Sequence, residues 1–288
     1  MKKLLPILLA LGLSVGEYCL FQNRDSLLDF FKHEHISENM EIPITTSDIS
    51  QNCSATTSTI KLANWNLQIF GDSKASKPEI MNVYVNTLTN YDIAFVQEIR
   101  DSDGSSFSNL CSILTNYDNK ISSRAGRSSS KEQYGVIYKK SIKAEMKDYN
   151  PDAQDRWERP PTAVDFNING YRLKVYNIHT KPGDVKSELS SLEQIVSTNG
   201  NVIILGDLNA DGNYYNPIDN TELDGWNWVI GNDEDTTSSE TDCAYDRIIM
   251  NADAYQEYST SGVFKAGIIK DISDHYPVWV EIRVNKSQ

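Results

Sequence analysis

Apolar residues gather in short blocks along the chain, and the blocks follow two periods. Eight of them read as strands: Ile60–Leu67, Ile93–Gln97, Tyr134–Tyr138, Ala163–Ile168, Tyr171–Ile178, Val202–Leu205, Arg247–Met250 and Tyr276–Arg283. Some alternate strictly, as a strand with one wet face does; others are apolar throughout, as a strand covered on both faces is. Lys77–Asn90, Ser105–Thr115 and Asp184–Thr198 read as helices, the last with Asp184 as N-cap and Gly200 closing its end. The mixture predicts an α/β fold in which two sheets pack face to face with helices outside.

The N-terminal region has a different character. Lys2 and Lys3 precede the uncharged run Leu4–Val15, which ends near the small residues Ser14 and Gly16. A basic segment followed by a short apolar one reads as a secretory signal over residues 1–16. Twelve residues fall short of the roughly 20 a helix needs to span a bilayer. A secreted or periplasmic protein is expected, with an uncleaved membrane anchor as the alternative. Residues 17–58 read as a poorly ordered lead-in, with a short helix at Asp25–Lys32 and a small, polar, aperiodic stretch at Thr45–Thr59. His33 and His35 read as solvated there. The globular domain is expected over residues 59–285.

Composition narrows the function classes. The 288 residues are 39% hydrophobic and 23% charged, which excludes collagen-like, disulfide-knot and wholly disordered chains. Lys+Arg number 27 against 40 Asp+Glu, a net charge of −13, so affinity does not come from a large basic face. Nucleic acid stays open, because divalent cations screen carboxylates where a polyanion docks. Cys19, Cys53, Cys111 and Cys243 show neither CxxC spacing nor zinc-like clustering, and nothing pairs them.

Polar residues at the ends of apolar runs are the candidate chemistry. Asn64 and Asn66 flank Trp65; Glu98 closes Ile93–Gln97; His179 follows Val175–Ile178; Asp207 and Asn209 follow Val202–Leu205; Asp274 and His275 precede the last strand. Gly206 is read as a sharp turn that sends Asp207 and Asn209 the same way from extended chain, while the adjacent Asp274 and His275 point apart. Each has a plain reading alone: a turn cap for Asn66, an exit charge for Glu98, a structural histidine, an Asx turn. Together they form one end of a sandwich. Two histidines with surplus carboxylates suit oxygen-ligated Mg²⁺ rather than zinc, and supply proton donors and acceptors near neutral pH. Metal-assisted phosphoester hydrolysis is the natural reading.

These motifs in this order resemble the endonuclease/exonuclease/phosphatase superfamily from Ile60 to about Ile282. Asn64-Trp65-Asn66, Gln97-Glu98, His179, Gly206-Asp207-Leu208-Asn209 and Ser273-Asp274-His275 are shared across its branches. Gly126-Arg127-Ser128-Ser129-Ser130-Lys131-Glu132-Gln133-Tyr134, Asp235-Thr236-Thr237 and Thr241-Asp242-Cys243-Ala244-Tyr245-Asp246-Arg247-Ile248 look like the deoxyribonuclease I branch, which Gln68–Gly71 and Gln97–Asp101 also fit. The resemblance implies a four-layer α/β sandwich and hydrolysis of DNA phosphodiesters with little sequence specificity, leaving 5′-phosphate ends. It implies that Glu132 orients His179 and Asp246 orients His275, one imidazole activating water while the other protonates the leaving oxygen. It places Mg²⁺ (with Mn²⁺ able to substitute) on Asn66, Glu98 and Asp274, and gives Asp207 and Asn209 a phosphate oxygen or second ion. Arg100 matches the family's minor-groove arginine; Arg127 and Arg159 match phosphate contacts, and Tyr245 a further substrate contact. Asp235, Thr237 and Thr241 match a structural calcium site. DNA is the partner so implied, met by a monomer.

The departures are local. Ser130 stands where the branch has a tyrosine that packs on a minor-groove sugar, and Ser128 replaces an asparagine, which implies weaker duplex affinity or a broader substrate. Gly212 stands where Cys243 would find its disulfide partner. Tyr149–Pro160 is shorter than the family loop and lacks its cysteine pair. Two other functions compete: a hydrolase of the same fold acting on lipid or sugar phosphates, and a non-enzymatic binding or toxin-like subunit. A bell-shaped pH–rate profile from the two histidine pairs is expected of the nuclease.

Overall fold

The computed structural model describes residues 58–284, except 128–129 and 219–220. The signal segment, nearly all of the lead-in, Asp25–Lys32, His33, His35, Cys19 and Cys53 lie outside the described residues. Among the described residues, twelve strands and five helices follow in the order β1 (Ser58–Phe70), α1 (Asp72–Ala75), α2 (Pro78–Leu88), β2 (Ile93–Ile99), α3 (Ser105–Ile113), β3 (Tyr117–Ile121), β4 (Gln133–Lys139), β5 (Lys143–Asp148), β6 (Thr162–Ile168), β7 (Tyr171–Asn177), α4 (Val185–Glu193), β8 (Asn201–Asp207), β9 (Asn227–Trp228), β10 (Asp246–Met250), α5 (Ala252–Tyr255), β11 (Tyr258–Val263) and β12 (Val278–Val284). They form two six-stranded sheets, ordered β11-β12-β1-β2-β4-β3 and β5-β6-β7-β8-β10-β9. In each sheet one pair is parallel, β1 with β2 and β7 with β8, joined by a helical crossover; the remaining pairs are antiparallel.

Period-two alternation builds the four layers. In β1, Leu62 faces the core between the sheets while Ala63, Trp65 and Leu67 face outward onto α2 and α3. Pro78 starts α2, and its Ile80, Met81, Tyr84 and Leu88 form the stripe that covers that sheet. On the far side, Tyr176, Val202 and Ile204 pack beneath Val185, Leu189 and Leu192 of α4. Burying each of the larger aliphatic side chains among them is worth roughly 1.5–3 kcal/mol, and a one-residue slip would turn every one of these residues to the wrong layer.

The same alternation delivers the polar residues. The inward rows are apolar along most of their length and turn polar at one end: Leu62 gives way to Asn64 and Asn66, Phe95 to Gln97, Val175 to Asn177, and Leu205 to Asp207, all buried. Gln97 bolts the sheets together at that end. Its Nε2 donates to Asn177 Oδ1 (2.7 Å) and Ile178 O (2.9 Å), and its Oε1 accepts from the Asp207 N–H (2.8 Å).

Three expectations are corrected. The third long helix stops at Glu193, not Thr198, because the β-branched and small residues Ile195-Val196-Ser197-Thr198 are poor helix formers; Gly200 lies in the following connection. Asp184 is its N-cap by position but makes no side-chain cap, pairing instead with Lys181 (2.7 Å). Gly206 makes no turn. It sits inside β8 at φ +147°, and a Cβ there would meet Ile178 O at 1.8 Å, so glycine is required for the close approach of β7 and β8.

Candidate active site

Both sheets deliver side chains to one cluster at their polar end. Glu98 would point outward by parity, but it has φ +59° at an irregularity in the β2–β4 pairing. A bulge of this kind re-aims a side chain. Gln68 (φ +47°) and Ile69 (φ +52°) break the facing β1 ladder in the same way. Such left-handed backbone costs on the order of 1–2 kcal/mol per non-glycine residue, so the surroundings must hold it. The Ile69 N–H donates to Glu98 Oε2 (2.8 Å) and the Gln68 N–H to Asn66 Oδ1 (2.9 Å). Asn66 Nδ2 then spans Glu98 Oε1 (3.2 Å) and Asp207 Oδ2 (3.0 Å).

Two carboxylate–imidazole pairs flank Asp207. His179 Nδ1 lies 2.8 Å from Glu132 Oε1, and His275 Nδ1 lies 2.6 Å from Asp246 Oδ2. The two Nε2 atoms converge on Asp207 Oδ2, at 3.4 and 3.5 Å. Asp246 stands opposite Asp207 in the β8–β10 register, which ties the second pair to the same strand end. Burial opposes charge on both imidazoles, and at His179 Arg159 opposes it too, but Glu132 and Asp207 together outweigh them at His179, and Asp246 and Asp207 outweigh burial at His275. The His179 pKa is therefore raised, and that of His275 is raised to about 10. Burial would likewise raise the carboxylates; the histidines hold Glu132 and Asp207 low, while Asp246 ends at about 6.

Arginines complete the ring. Arg100 bridges Glu132 (3.2 Å) and Glu98 (3.8 Å). Arg159 is nearly buried: Nε donates to His179 O (3.0 Å), NH2 donates to Thr180 O (3.0 Å), and Nε stands 3.5 Å from Glu132. Arg127 joins none of this cluster; it pairs with Asp155 (2.8 Å) and Glu158 (3.9 Å). Tyr245 packs against Tyr214 (5.5 Å between centroids), and its carbonyl accepts from the Leu208 N–H (2.9 Å).

Asn209 differs from its expected pose. It has left-handed backbone (φ +46°), its N–H donates to Asp207 Oδ1 (3.1 Å), and Nδ2 donates to Thr180 O (3.0 Å). The two side chains do not lie parallel on extended chain. Asp274 and His275 do not diverge fully either, since Asp274 Oδ1 is 3.8 Å from His275 Nε2. Glu98, Glu132 and His179 each offer a ligand atom within 4.8 Å of one another, an oxygen-rich set suited to a hard divalent cation. Asn66 turns its amide nitrogen toward the carboxylates and its oxygen to Gln68, so it binds the acidic residues together.

Asp235, Thr237 and Thr241 also come together. Thr237 Oγ1 meets Asp235 Oδ1 (3.3 Å), the Thr241 carbonyl and Thr241 Oγ1 (3.4 Å). Lys265 pairs with the other Asp235 oxygen (3.1 Å). This loop braces the site: Ser238 N–H donates to Asp274 O (2.8 Å), and Thr237 bridges His275. Cys243 and Cys111 are free, and a Cβ at Gly212 would lie 3.1 Å from Cys243 Sγ, where a partner thiol would stand.

The sequence reading missed Tyr134 and Glu188. The Tyr134 hydroxyl accepts from the His179 N–H (3.1 Å) and donates to Arg159 O (3.3 Å). Buried Glu188 accepts from the Glu158 (2.7 Å) and Lys181 (3.1 Å) N–H groups, fixing the loops beside His179. Glu188 sits in an ordinary amphipathic pattern, and Tyr134, though it closes the segment from Gly126, reads there as one more apolar strand residue.

Residues 63–275 match the pattern of the Endonuclease/Exonuclease/phosphatase family. The chain belongs to the endonuclease/exonuclease/phosphatase family. Family membership brings with it the expected enzyme class, a metal-dependent phosphodiesterase, and the two flanked sheets are the four-layer sandwich anticipated. Among curated relatives, Deoxyribonuclease-1 of Gallus gallus is 33% identical over 261 residues, covering 78% of this chain and 93% of that protein. Deoxyribonuclease-1 of Homo sapiens is 28% identical over 260 residues, with 78% and 92% covered. Among solved structures, D. rerio TDP2 complexed with single strand DNA product superposes with a TM-score of 0.56 at 14% identity, covering 79% of this chain and all of that one. The likeness to that structure is one of fold.

Proposed function

We propose that the chain is a secreted, Mg²⁺-dependent endonuclease that hydrolyses DNA phosphodiester bonds with little sequence specificity and leaves 5′-phosphate ends. The observation that carries this reading is the meeting of two carboxylate-backed imidazoles at one Asp207 oxygen, in a chain whose curated relatives are named Deoxyribonuclease-1. A phosphodiester at that point has a proton acceptor on one side and a donor on the other. One histidine takes the proton of the attacking water while its partner protonates the leaving 3′ oxygen, which keeps the phosphate on the 5′ end. Glu132 and Asp246, each held at Nδ1 of its histidine, fix which nitrogen of each imidazole faces the substrate.

Glu98, with Asp274 at the rim, would hold the Mg²⁺. The ion supplies charge stabilisation for the phosphoryl oxygens. Arg100 faces the same cluster as a groove contact, and Arg159 holds Glu132 and the His179 backbone in place. Asp235, Thr237 and Thr241 suit a structural Ca²⁺ that steadies the segment bearing Asp274 and His275. The N-terminal signal supports export, and the DNA is met through backbone and minor groove by a monomer.

A second reading, a lipid- or sugar-phosphate hydrolase of the same fold, is favoured by Ser130 and by Arg127 being tied to Asp155 and Glu158. Initial rates on plasmid DNA, sphingomyelin and inositol phosphates, measured side by side with Mg²⁺, separate the two. The nuclease reading expects turnover on plasmid far above the others; faster turnover on either small phosphate overturns it.

A further inference from the structure

A lysine that the chemistry above does not use ties the metal-binding face together. Lys74 lies in the four-residue helix α1, where a lysine ordinarily points to water. Here its half-buried Nζ donates to Leu67 O (2.9 Å), Gln68 O (2.5 Å) and Ile272 O (2.8 Å), with Gln68 Oε1 at 3.5 Å. Two of these carbonyls also accept from the buried Tyr84 hydroxyl, Ile272 O at 2.9 Å and Leu67 O at 3.4 Å. The chain segments so joined are the two that carry the acidic groups. Gln68 and Ile69 form the left-handed turn whose N–H grips Glu98 Oε2, and Ile272 directly precedes Ser273, Asp274 and His275. Ser273 adds a parallel tie, donating to Asn66 O (2.6 Å).

We propose that Lys74 is a positioning residue of the metal-binding face, its ammonium holding the strained Gln68–Ile69 turn, and with it Glu98, against the segment bearing Asp274. The proposal rests on the reading that a divalent cation sits between those two carboxylates. Two effects of the ammonium on such an ion have opposite signs. As a nearby positive charge, which Asp274 and Glu98 both feel, it repels the ion; as the clamp on the turn, it fixes the backbone that grips Glu98 against the segment bearing Asp274. Charged hydrogen bonds to three carbonyls are strong and directional, whereas solvent screens the repulsion at the partly exposed Glu98 and Asp274 side chains. Positioning therefore wins.

The test is isothermal titration of Mg²⁺ into chelator-treated wild type, Lys74→Met and Lys74→Arg, with plasmid nicking run in parallel. Lys74→Met is expected to weaken Mg²⁺ binding about tenfold, in the range seen when groups supporting metal ligands are removed, with KM for DNA within about twofold. Lys74→Arg, which keeps the donors, is expected to recover most of the loss. Should Lys74→Met not fold, Lys74→Gln reads the same sign. Mg²⁺ binding that is unchanged or tighter in the neutral variant overturns the proposal, because tightening is what loss of a like charge alone gives. A wild type that neither binds Mg²⁺ nor nicks plasmid brings down the functional reading itself, and this proposal with it.

Discussion

His179 and His275 aim their Nε2 atoms at the same oxygen, Asp207 Oδ2, from 3.4 and 3.5 Å. One comes from the end of β7 and the other from the loop before β12, so the two sheets must be locked together for the atoms to meet. The proposed proton relay needs both an acceptor and a donor, so removing either imbalances it. His179→Ala and His275→Ala are each expected to lower kcat by about a hundred- to ten-thousand-fold, and the double variant by much less than the product. Single-turnover kinetics on plasmid check both numbers.

The carboxylate behind each imidazole sets its charge. In Asp246→Asn the burial of His275 remains while its strongest supporting charge is gone, so its pKa falls from about 10. NMR titration of the imidazole protons measures this directly. The rate drops through kcat with KM for DNA little changed, and a His275 titration identical to wild type contradicts the pairing.

Stability follows the same shifts. The folded pKa of His275 is raised to about 10 from an ordinary 6.5, so its contribution is complete below pH 6.5 and lost as pH rises through 10. In chelator, the thermal midpoint is expected to fall between pH 7 and 10, and His275→Gln to flatten that limb. Glu132 and Asp207 lie below their ordinary 4.5 and 3.8, so their contributions are present above those values and vanish as acid protonates the folded carboxylates. Differential scanning calorimetry across pH 3 to 10 reads both limbs.

Gly206→Ala tests the close approach of β7 and β8. The added methyl would meet Ile178 O at 1.8 Å and Gln97 Nε2 at 2.7 Å, on backbone at φ +147°. A loss of about 3 kcal/mol or more is expected by denaturant unfolding, with nicking reduced because Ile178 leads into His179.

Much of this architecture was legible in the sequence, and its misses share a cause. The eight predicted strands are the inner strands of the two sheets; the four unpredicted ones, β3, β5, β9 and β11, are the four edges. An edge strand buries little, as Lys143–Asp148 shows, so its residues carry only a faint apolar period. The site residues were visible because each inward row turns polar at one end. What the pattern could not show is how the backbone bends there. The left-handed residues Glu98 and Asn209 redirect side chains against the strand parity, and Lys74 in a polar turn looks like any solvated lysine.

Nicking of supercoiled plasmid by purified wild type, His179→Ala and His275→Ala, with Mg²⁺ and with chelator, reads the two imidazoles and the metal in one assay. Relaxed and then linear DNA with 5′-phosphate ends is expected from wild type in Mg²⁺, and almost none in chelator or from either variant. Undiminished cutting by a histidine variant, or equal cutting in chelator, would contradict the proposed chemistry.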